Sequence, residues 1–221
     1  MTRVDILYLD DTLLFVNKSA GLPVLPDGWE TASVFLVQLL KREYGPIWLV
    51  HRLDKVTSGV MVFARTAEAH RALSIQFEQH RTDKIYHAIA NGNPDWTERS
   101  ARLALRGNVG HKHRTVVDVR EGKYSRTDFR VLERFQAQVL LEARPQTGRT
   151  HQVRVHAAAL HCPLLGDTLY GAPPTEMIAR PALHALSLSI THPRSLEQLT
   201  CTAPYPEDFS AGLRALARKP R

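Results

Sequence analysis

The sequence predicts an α+β fold: one long, mainly antiparallel or mixed sheet with flanking helices. Three observations carry that prediction. Residues 115–119, 127–132 and 138–143 are apolar, β-branched runs broken only at Glu121-Gly122-Lys123 and around Arg134-Phe135-Gln136, the pattern of consecutive antiparallel strands. Helical spacing is confined to four short stretches, so helices flank the sheet. The 221 residues suffice for one substantial core, and no heptad or fixed-period repeat points to a solenoid. A single domain over 1–221 is expected, its core at about 6–204 and a terminal helix with a basic tail at 205–221.

The chain opens with an expected β-hairpin, residues 4–9 and 13–17, turned by Asp10-Asp11-Thr12. From Ser19 to Gly28 proline and glycine are too frequent for helix or strand, which leaves an ordered loop. Thr31 is placed to cap a helix bearing Val34, Leu36, Val37, Leu39 and Leu40, and Gly45-Pro46 stops it. Val60-Met61-Val62-Phe63-Ala64 reads as a buried strand. Thr66 caps a second helix whose Leu73 and Phe77 share a face, with Glu68 near the positive end of its dipole.

In the next strand, Lys84 to Ala90, alternation sets Lys84, Tyr86 and Ala88 on one face and Ile85, His87 and Ile89 on the other. Residues 91–114 are irregular, with Arg99, Arg102, Arg106, His111, Lys112, His113 and Arg114 forming a basic run, expected as a hairpin or extended loop bearing phosphate contacts. A short helix is expected from His151 to Leu160, capped by Thr150 and barred by Pro163. A turn at Leu164-Leu165-Gly166-Asp167, strands at 183–191 and 199–203, a helix at 208–217 and a frayed tail, Arg218-Lys219-Pro220-Arg221, complete the chain.

Composition narrows the function. Lys and Arg number 29 against 22 Asp and Glu, a formal charge of +7, which favours a polyanionic partner. Cys162 and Cys201 make no disulfide framework and fit a reducing cytosol, and the first residues lack the pattern of a secretory signal. No apolar run is long enough to cross a bilayer. His111, His113, His151, His156 and the two cysteines show no Cys-x-x-Cys or His-Glu-x-x-His spacing, so no metal is expected. There is no glycine-rich phosphate loop before a Lys-Ser/Thr pair, and Ser58 with His51 lacks the third partner of a hydrolase triad.

What remains is two dense polar stretches. His51-Arg52-Leu53-Asp54-Lys55-Val56-Thr57-Ser58-Gly59 sets a carboxylate beside cations and hydroxyls at the mouth of a strand, with Gly59 free to take a positive φ. Thr147-Gly148-Arg149-Thr150-His151-Gln152-Val153-Arg154-Val155-His156 leads into a helix, with Arg149 before it and Arg154 within it. A carboxylate that acts as nucleophile in a closed pocket must stay ionised against desolvation, and a guanidinium is the partner whose planar fork matches it and cannot deprotonate.

These stretches, with Lys84-x-Tyr86-x-Ala88 between them, resemble the RluA-type family of RNA pseudouridine synthases: its catalytic loop, its tyrosine strand and its arginine helix, in that order. The resemblance implies a pseudouridine-synthase-like catalytic domain with a central basic cleft, lacking the S4-type N-terminal RNA-binding domain of many relatives. It implies isomerisation of a uridine in structured ribosomal or transfer RNA, with no cofactor and no metal; a cytoplasmic location and a monomer are expected beside it. Asp54 is then the nucleophilic or proton-handling carboxylate, Tyr86 stacks on the target base, Arg154 pairs with Asp54, and Arg52 enters the space left by the flipped base. Arg149, His151 and Gln152 contact RNA phosphate or brace the catalytic loop, and His51 joins that RNA-facing group or serves as a structural hydrogen-bond donor. The competing class is an RNA-binding or remodelling protein of the same fold without turnover.

Overall fold

A computed structural model describes residues 4–26, 34–111 and 113–218. Thr31 as a helix cap, Asp27 and Gly28 of the early loop, Lys112 of the basic run and the tail residues 219–221 lie outside the described residues. The expected hairpin is present as β1 (Asp5–Leu9) and β2 (Leu13–Lys18). Asp10 shapes its turn: the carboxylate accepts the N–H groups of Thr12 and Leu13, each at 2.7 Å. Burial opposes charge there, but these bonds, with those from Tyr8 and His192, hold the carboxyl well below the usual carboxylate range.

Helix α1 (Leu36–Tyr44) starts after Phe35 with no side-chain cap bond and ends at Gly45, whose φ is 77°. Strands β3 (Trp48–Leu49) and β4 (Ser58–Ala64) follow, the latter buried along its whole length. Helix α2 (Ala67–Glu78) is capped by Thr66, whose hydroxyl accepts the N–H of Ala69 at 3.1 Å. Next come β5 (Asp83–Asn91), β6 (Glu98–Val109), β7 (Arg114–Val117), β8 (Lys123–Arg134), β9 (Gln138–Pro145), α3 (Gln152–Ala159), β10 (Leu183–Thr191), β11 (Gln198–Thr202) and α4 (Glu207–Ala217).

Of the hairpin or extended loop expected for residues 91–114, the structure has a hairpin: β6, a twelve-residue strand where the sequence pattern looked irregular, pairs with β7. Ala101 and Leu105 face the core while Arg102 and Arg106 point the other way, so the arginines that obscured the pattern are the solvent half of a two-residue alternation.

The chain divides into two compact units, residues 1–84 with 185–204 and residues 85–184 with 205–221. In the first, β1, β2 and β4 form an antiparallel ladder, β3 lies on β4, and β11 pairs with β10. Its buried side chains include Leu13, Phe15, Leu36, Leu40, Met61, Phe63 and Leu73.

In the second unit the strand order is β5-β9-β8-β6-β7, antiparallel at each step. Alternation gives this sheet two apolar faces. Ala88, Ala90, Val139, Leu141 and Ala143 pack with Val153 and Ala157 of α3, whereas Ile89 and Leu140 pack with Phe209 and Leu216 of α4. Farther along the α4 face, Arg126 pairs with Asp128 at 3.0 Å, and Arg130 and Arg144 share Glu142 at 3.2 and 3.0 Å. No described helix is long and apolar enough to cross a membrane.

Candidate active site

Asp54 stands in the first unit, at the head of a tight turn in which its carbonyl accepts the N–H of Thr57 at 3.0 Å. The turn is held through its backbone. Lys18 is fully buried, and its ammonium donates to the carbonyls of Ser19, Leu22 and Lys55 at 2.9, 2.9 and 3.2 Å. The Lys55 carbonyl also accepts the N–H of Gly21 at 2.8 Å. One ammonium thus satisfies carbonyls on both sides of the loop, and the lysine charge is spent on position.

His51 closes the other end. Its Nε2 accepts the N–H of Val62 at 3.0 Å, and its ring stacks on Phe77 with centroids 4.6 Å apart. Burial, with the Lys84 ammonium nearby, pushes its pKa down to about 3, so the ring is neutral and Nδ1 carries its proton. Gly59 lies inside β4 rather than in the turn. Its φ is 120°, and a Cβ there would stand 2.1 Å from the carbonyl oxygen of Ala185, so the need is for close approach. Arg52 is exposed and, among the described residues, engages none of them.

Tyr86 and Arg154 both belong to the second unit. Tyr86 projects from β5 on the face of Ala88 and packs against the cluster that holds Val153 and Ala157. Arg154 is on α3, only 4% exposed. Its Nε and one terminal nitrogen donate to the two carboxylate oxygens of Asp167 at 2.7 and 2.8 Å, and its Cζ sits 5.0 Å from the centre of the Tyr170 ring. The Tyr170 hydroxyl accepts the N–H of Thr115 at 2.9 Å and bonds Nδ1 of His151 at 2.7 Å.

Helix α3 is fixed at its start by side chains. Pro145 ends β9, and beyond it the N–H of Arg126 in β8 is met by the Thr147 hydroxyl at 3.1 Å. That hydroxyl donates to Oε1 of Gln152 (2.7 Å), which also accepts the N–H of Arg149 (3.0 Å). The amide of Gln152 donates to the Arg126 carbonyl (2.9 Å) and the Thr127 hydroxyl (3.0 Å), so all four of its hydrogen-bonding positions are used.

One turn on, His156 is fully buried between the hydroxyls of Thr127 and Ser125, each at 2.9 Å. Ser125 spends its proton on the Leu103 carbonyl, so it accepts from Nε2–H, and Thr127 donates to Nδ1. The ring is neutral in one tautomer, and burial pushes its pKa down to about 4. Residue 151 is the first turn's boundary: it takes a left-handed conformation, φ 53°, and neither it nor Thr150 caps the helix by a side-chain bond.

Residues 12–159 match the family described as RNA pseudouridylate synthase. The chain belongs to that family. It is 39% identical over 222 residues to a protein of Neisseria meningitidis named ribosomal large subunit pseudouridine synthase D, covering 93% of this chain and 59% of that relative. It is 37% identical to an uncharacterized RNA pseudouridine synthase of Mycobacterium bovis, covering 96% of this chain and 72% of the relative. Among solved structures it resembles Human RNA Pseudouridylate Synthase Domain Containing 4, with a TM-score of 0.81, 26% identity, and coverage of 96% and 93% of the two chains.

Within this pseudouridylate synthase fold the expected site residues sort by surroundings. Asp54 and Arg52 stand in the first unit's loop; Tyr86 and Arg154 share one side of the second unit's sheet. Gln152, expected to contact RNA or brace the catalytic loop, is 4% exposed and has every polar position engaged with Thr147, Arg149, Arg126 and Thr127, around β8 and the start of α3. His51, considered as a donor, is an acceptor at Nε2 because a backbone N–H points at it. Arg149 is exposed, its Nε donating to the Tyr124 carbonyl at 3.3 Å. Lys18, Asp167 and Tyr170 went unassigned in the sequence. Among the described residues no three His, Cys, Asp or Glu side chains are grouped to hold a metal.

Proposed function

We propose that this chain isomerises a uridine in structured RNA to pseudouridine. The N1–C1′ bond breaks, the uracil turns while bound, C5 bonds to C1′, and the proton leaving C5 is balanced by one gained at N1. The observation that carries the reading is the buried, carboxylate-held Arg154 on the same sheet face as Tyr86, in a chain of the RNA pseudouridylate synthase family.

Asp54 is the carboxylate of the reaction, Arg154 its partner, and Tyr86 the platform on which the base stacks. Arg52, exposed on the catalytic loop, fills the gap left by the extruded nucleotide. Asp167 occupies two of the five N–H donors of a guanidinium and leaves three for other acceptors, so pairing with Asp54 is compatible with its presence. Extrusion costs a few kcal/mol, which stacking on an aromatic ring and a side chain in the vacated space offset. The enzyme works in the cytoplasm as a monomer without cofactor or metal. Its substrate is ribosomal or transfer RNA, ribosomal RNA being favoured by the name of the Neisseria relative.

The test is primer-extension mapping of pseudouridine in RNA from a strain lacking the protein, treated with wild type or Asp54→Asn. Wild type restores modification at discrete positions and the variant leaves them as uridine. Equal modification by both removes Asp54 from the mechanism, and binding without modification by either makes the chain an RNA-binding protein only.

A further inference from the structure

The sequence reads Leu164-Leu165-Gly166-Asp167 as a turn and assigns nothing to Thr168-Leu169-Tyr170-Gly171, yet this segment supplies two side chains that hold Arg154. Thr168–Tyr170 is a single 3-10 turn following Asp167. Asp167 precedes that turn with φ -91° and ψ 70°, and its carbonyl accepts the N–H of Tyr170, which draws the two residues together at the guanidinium. The turn is tied down at both ends. The N–H of Leu165 donates to the carbonyl of Ile89 in β5 at 2.8 Å, and that of Ala182 to Leu165 at 2.8 Å. The Asp167 carbonyl accepts the N–H groups of Tyr170 and Ala172, both at 3.1 Å. Gly166, at φ 78°, would place a Cβ 2.3 Å from the Arg180 carbonyl oxygen, so the backbone path admits no side chain there. The turn is therefore registered against β5, the strand that carries Tyr86.

The two contacts constrain different degrees of freedom. The two-point bond to Asp167 fixes the plane and rotation of the guanidinium, and the Tyr170 ring limits its tilt through a cation–π contact. The ring is itself fixed by its hydroxyl, through Thr115 in β7 and His151 at the start of α3. A buried ion pair is a poor way to gain stability, because desolvation consumes most of its attraction and an apolar pair serves as well. Burying Asp167 completely beside an arginine 4% exposed therefore points to orientation rather than to stability.

We propose that Asp167 and Tyr170 are positioning residues: the 3-10 turn they share locks the guanidinium of Arg154 so that the donors Asp167 leaves over are aimed for the isomerisation. This rests on the functional reading above. Neither residue touches the substrate; both act through Arg154.

The experiment measures single-turnover pseudouridine formation and RNA affinity for wild type, Asp54→Asn, Asp167→Asn, Arg154→Lys, the Asp167→Asn/Arg154→Lys double variant, Tyr170→Phe and Tyr170→Leu. Asp167→Asn should lower the rate constant about 10- to 100-fold, the loss that small misplacement produces, while RNA affinity stays within about 2-fold. The double variant should be no slower than the slower single variant, because residues acting through one group are not additive. Tyr170→Leu should lose about 10-fold, and Tyr170→Phe, which keeps the ring, should recover most of it. If Asp167→Asn does not fold, as thermal unfolding would reveal, the Tyr170 pair decides alone. Multiplicative losses in the double variant, a wild-type rate for Asp167→Asn or Tyr170→Leu, or equal losses in rate and affinity would overturn the inference. Inactive wild type, or active Asp54→Asn, would instead bring down the functional reading and this inference with it.

Discussion

The loop that carries Asp54 and the turn that leads into α3 are both irregular and polar, and each delivers one arm of the proposed site, but they are held by different forces. The Asp54 loop is fixed by its backbone: a lysine ammonium on three carbonyls, a histidine nitrogen on one N–H, and a glycine pressed against Ala185. The α3 turn is fixed by side chains: Thr147, Gln152, Thr127, His156 and Ser125 pass hydrogen bonds from one to the next with a single consistent set of donors. Backbone clamps act on the main chain of the loop, and they fail abruptly. A side-chain relay fails one bond at a time.

The steepest test of that contrast is Gly59→Ala. The added carbon would stand 2.1 Å from a backbone oxygen, where no rotamer relieves it, so the first unit should lose its cooperative fold. Thermal unfolding measures this, and a midpoint within about 3 °C of wild type, equivalent to about 1 kcal/mol, would show that the glycine clamp is not needed.

A middle-sized effect is expected in the relay. Thr127→Val keeps the shape but leaves Nδ1 of His156 and one amide hydrogen of Gln152 without a partner, a cost of about 2–6 kcal/mol at about 1–3 for each group. Adding His156→Leu should cost less than the two single changes combined, as urea denaturation of the four proteins would reveal. Simple additivity would mean that the bonds are independent and the comparison with the Asp54 loop is too sharp.

The gentlest probe is acid. His51 and His156 are neutral in the folded chain, with pKa values of about 3 and about 4, against about 6.5 when unfolded. As pH falls the unfolded chain binds protons first. The stability contributed by the neutral rings is therefore complete above pH 6.5 and is lost as pH falls toward 4 for His156 and toward 3 for His51. Near pH 5 each ring should add about 1.4 kcal/mol per pH unit to the slope of unfolding free energy. His156→Gln should remove one such contribution in a urea titration series, and an unchanged slope would place that proton elsewhere.

Much of this architecture was legible. Asp10-Asp11-Thr12 marked the first hairpin and Thr66 the start of α2 because turns and caps are decided by a few neighbouring atoms. The alternation around Tyr86 put it on the face it occupies. What escaped depends on distant partners. The outward arginines of β6 hid the inward Ala101 and Leu105, and a small alanine is a weak core marker. For Gln152 and His151 the sequence left RNA contact and bracing open; that their atoms meet Arg126, Thr127 and Tyr170 is set by folding across 19 to 26 residues. Asp167 and Tyr170 did have a local signature, a spacing of three between two glycines, but only the folded chain shows that both meet Arg154.

The paired arginines on the α4 side of the second unit's sheet bear on how the surplus of +7 is distributed. Arg126, Arg130 and Arg144 share two carboxylates, Asp128 and Glu142, so a polyanion settling there would meet a much reduced charge and would have to compete with those carboxylates. Little counterion release would accompany such an encounter, and little would reward it. Exposed cations without such neighbours, Arg52 among them, keep their full charge by comparison.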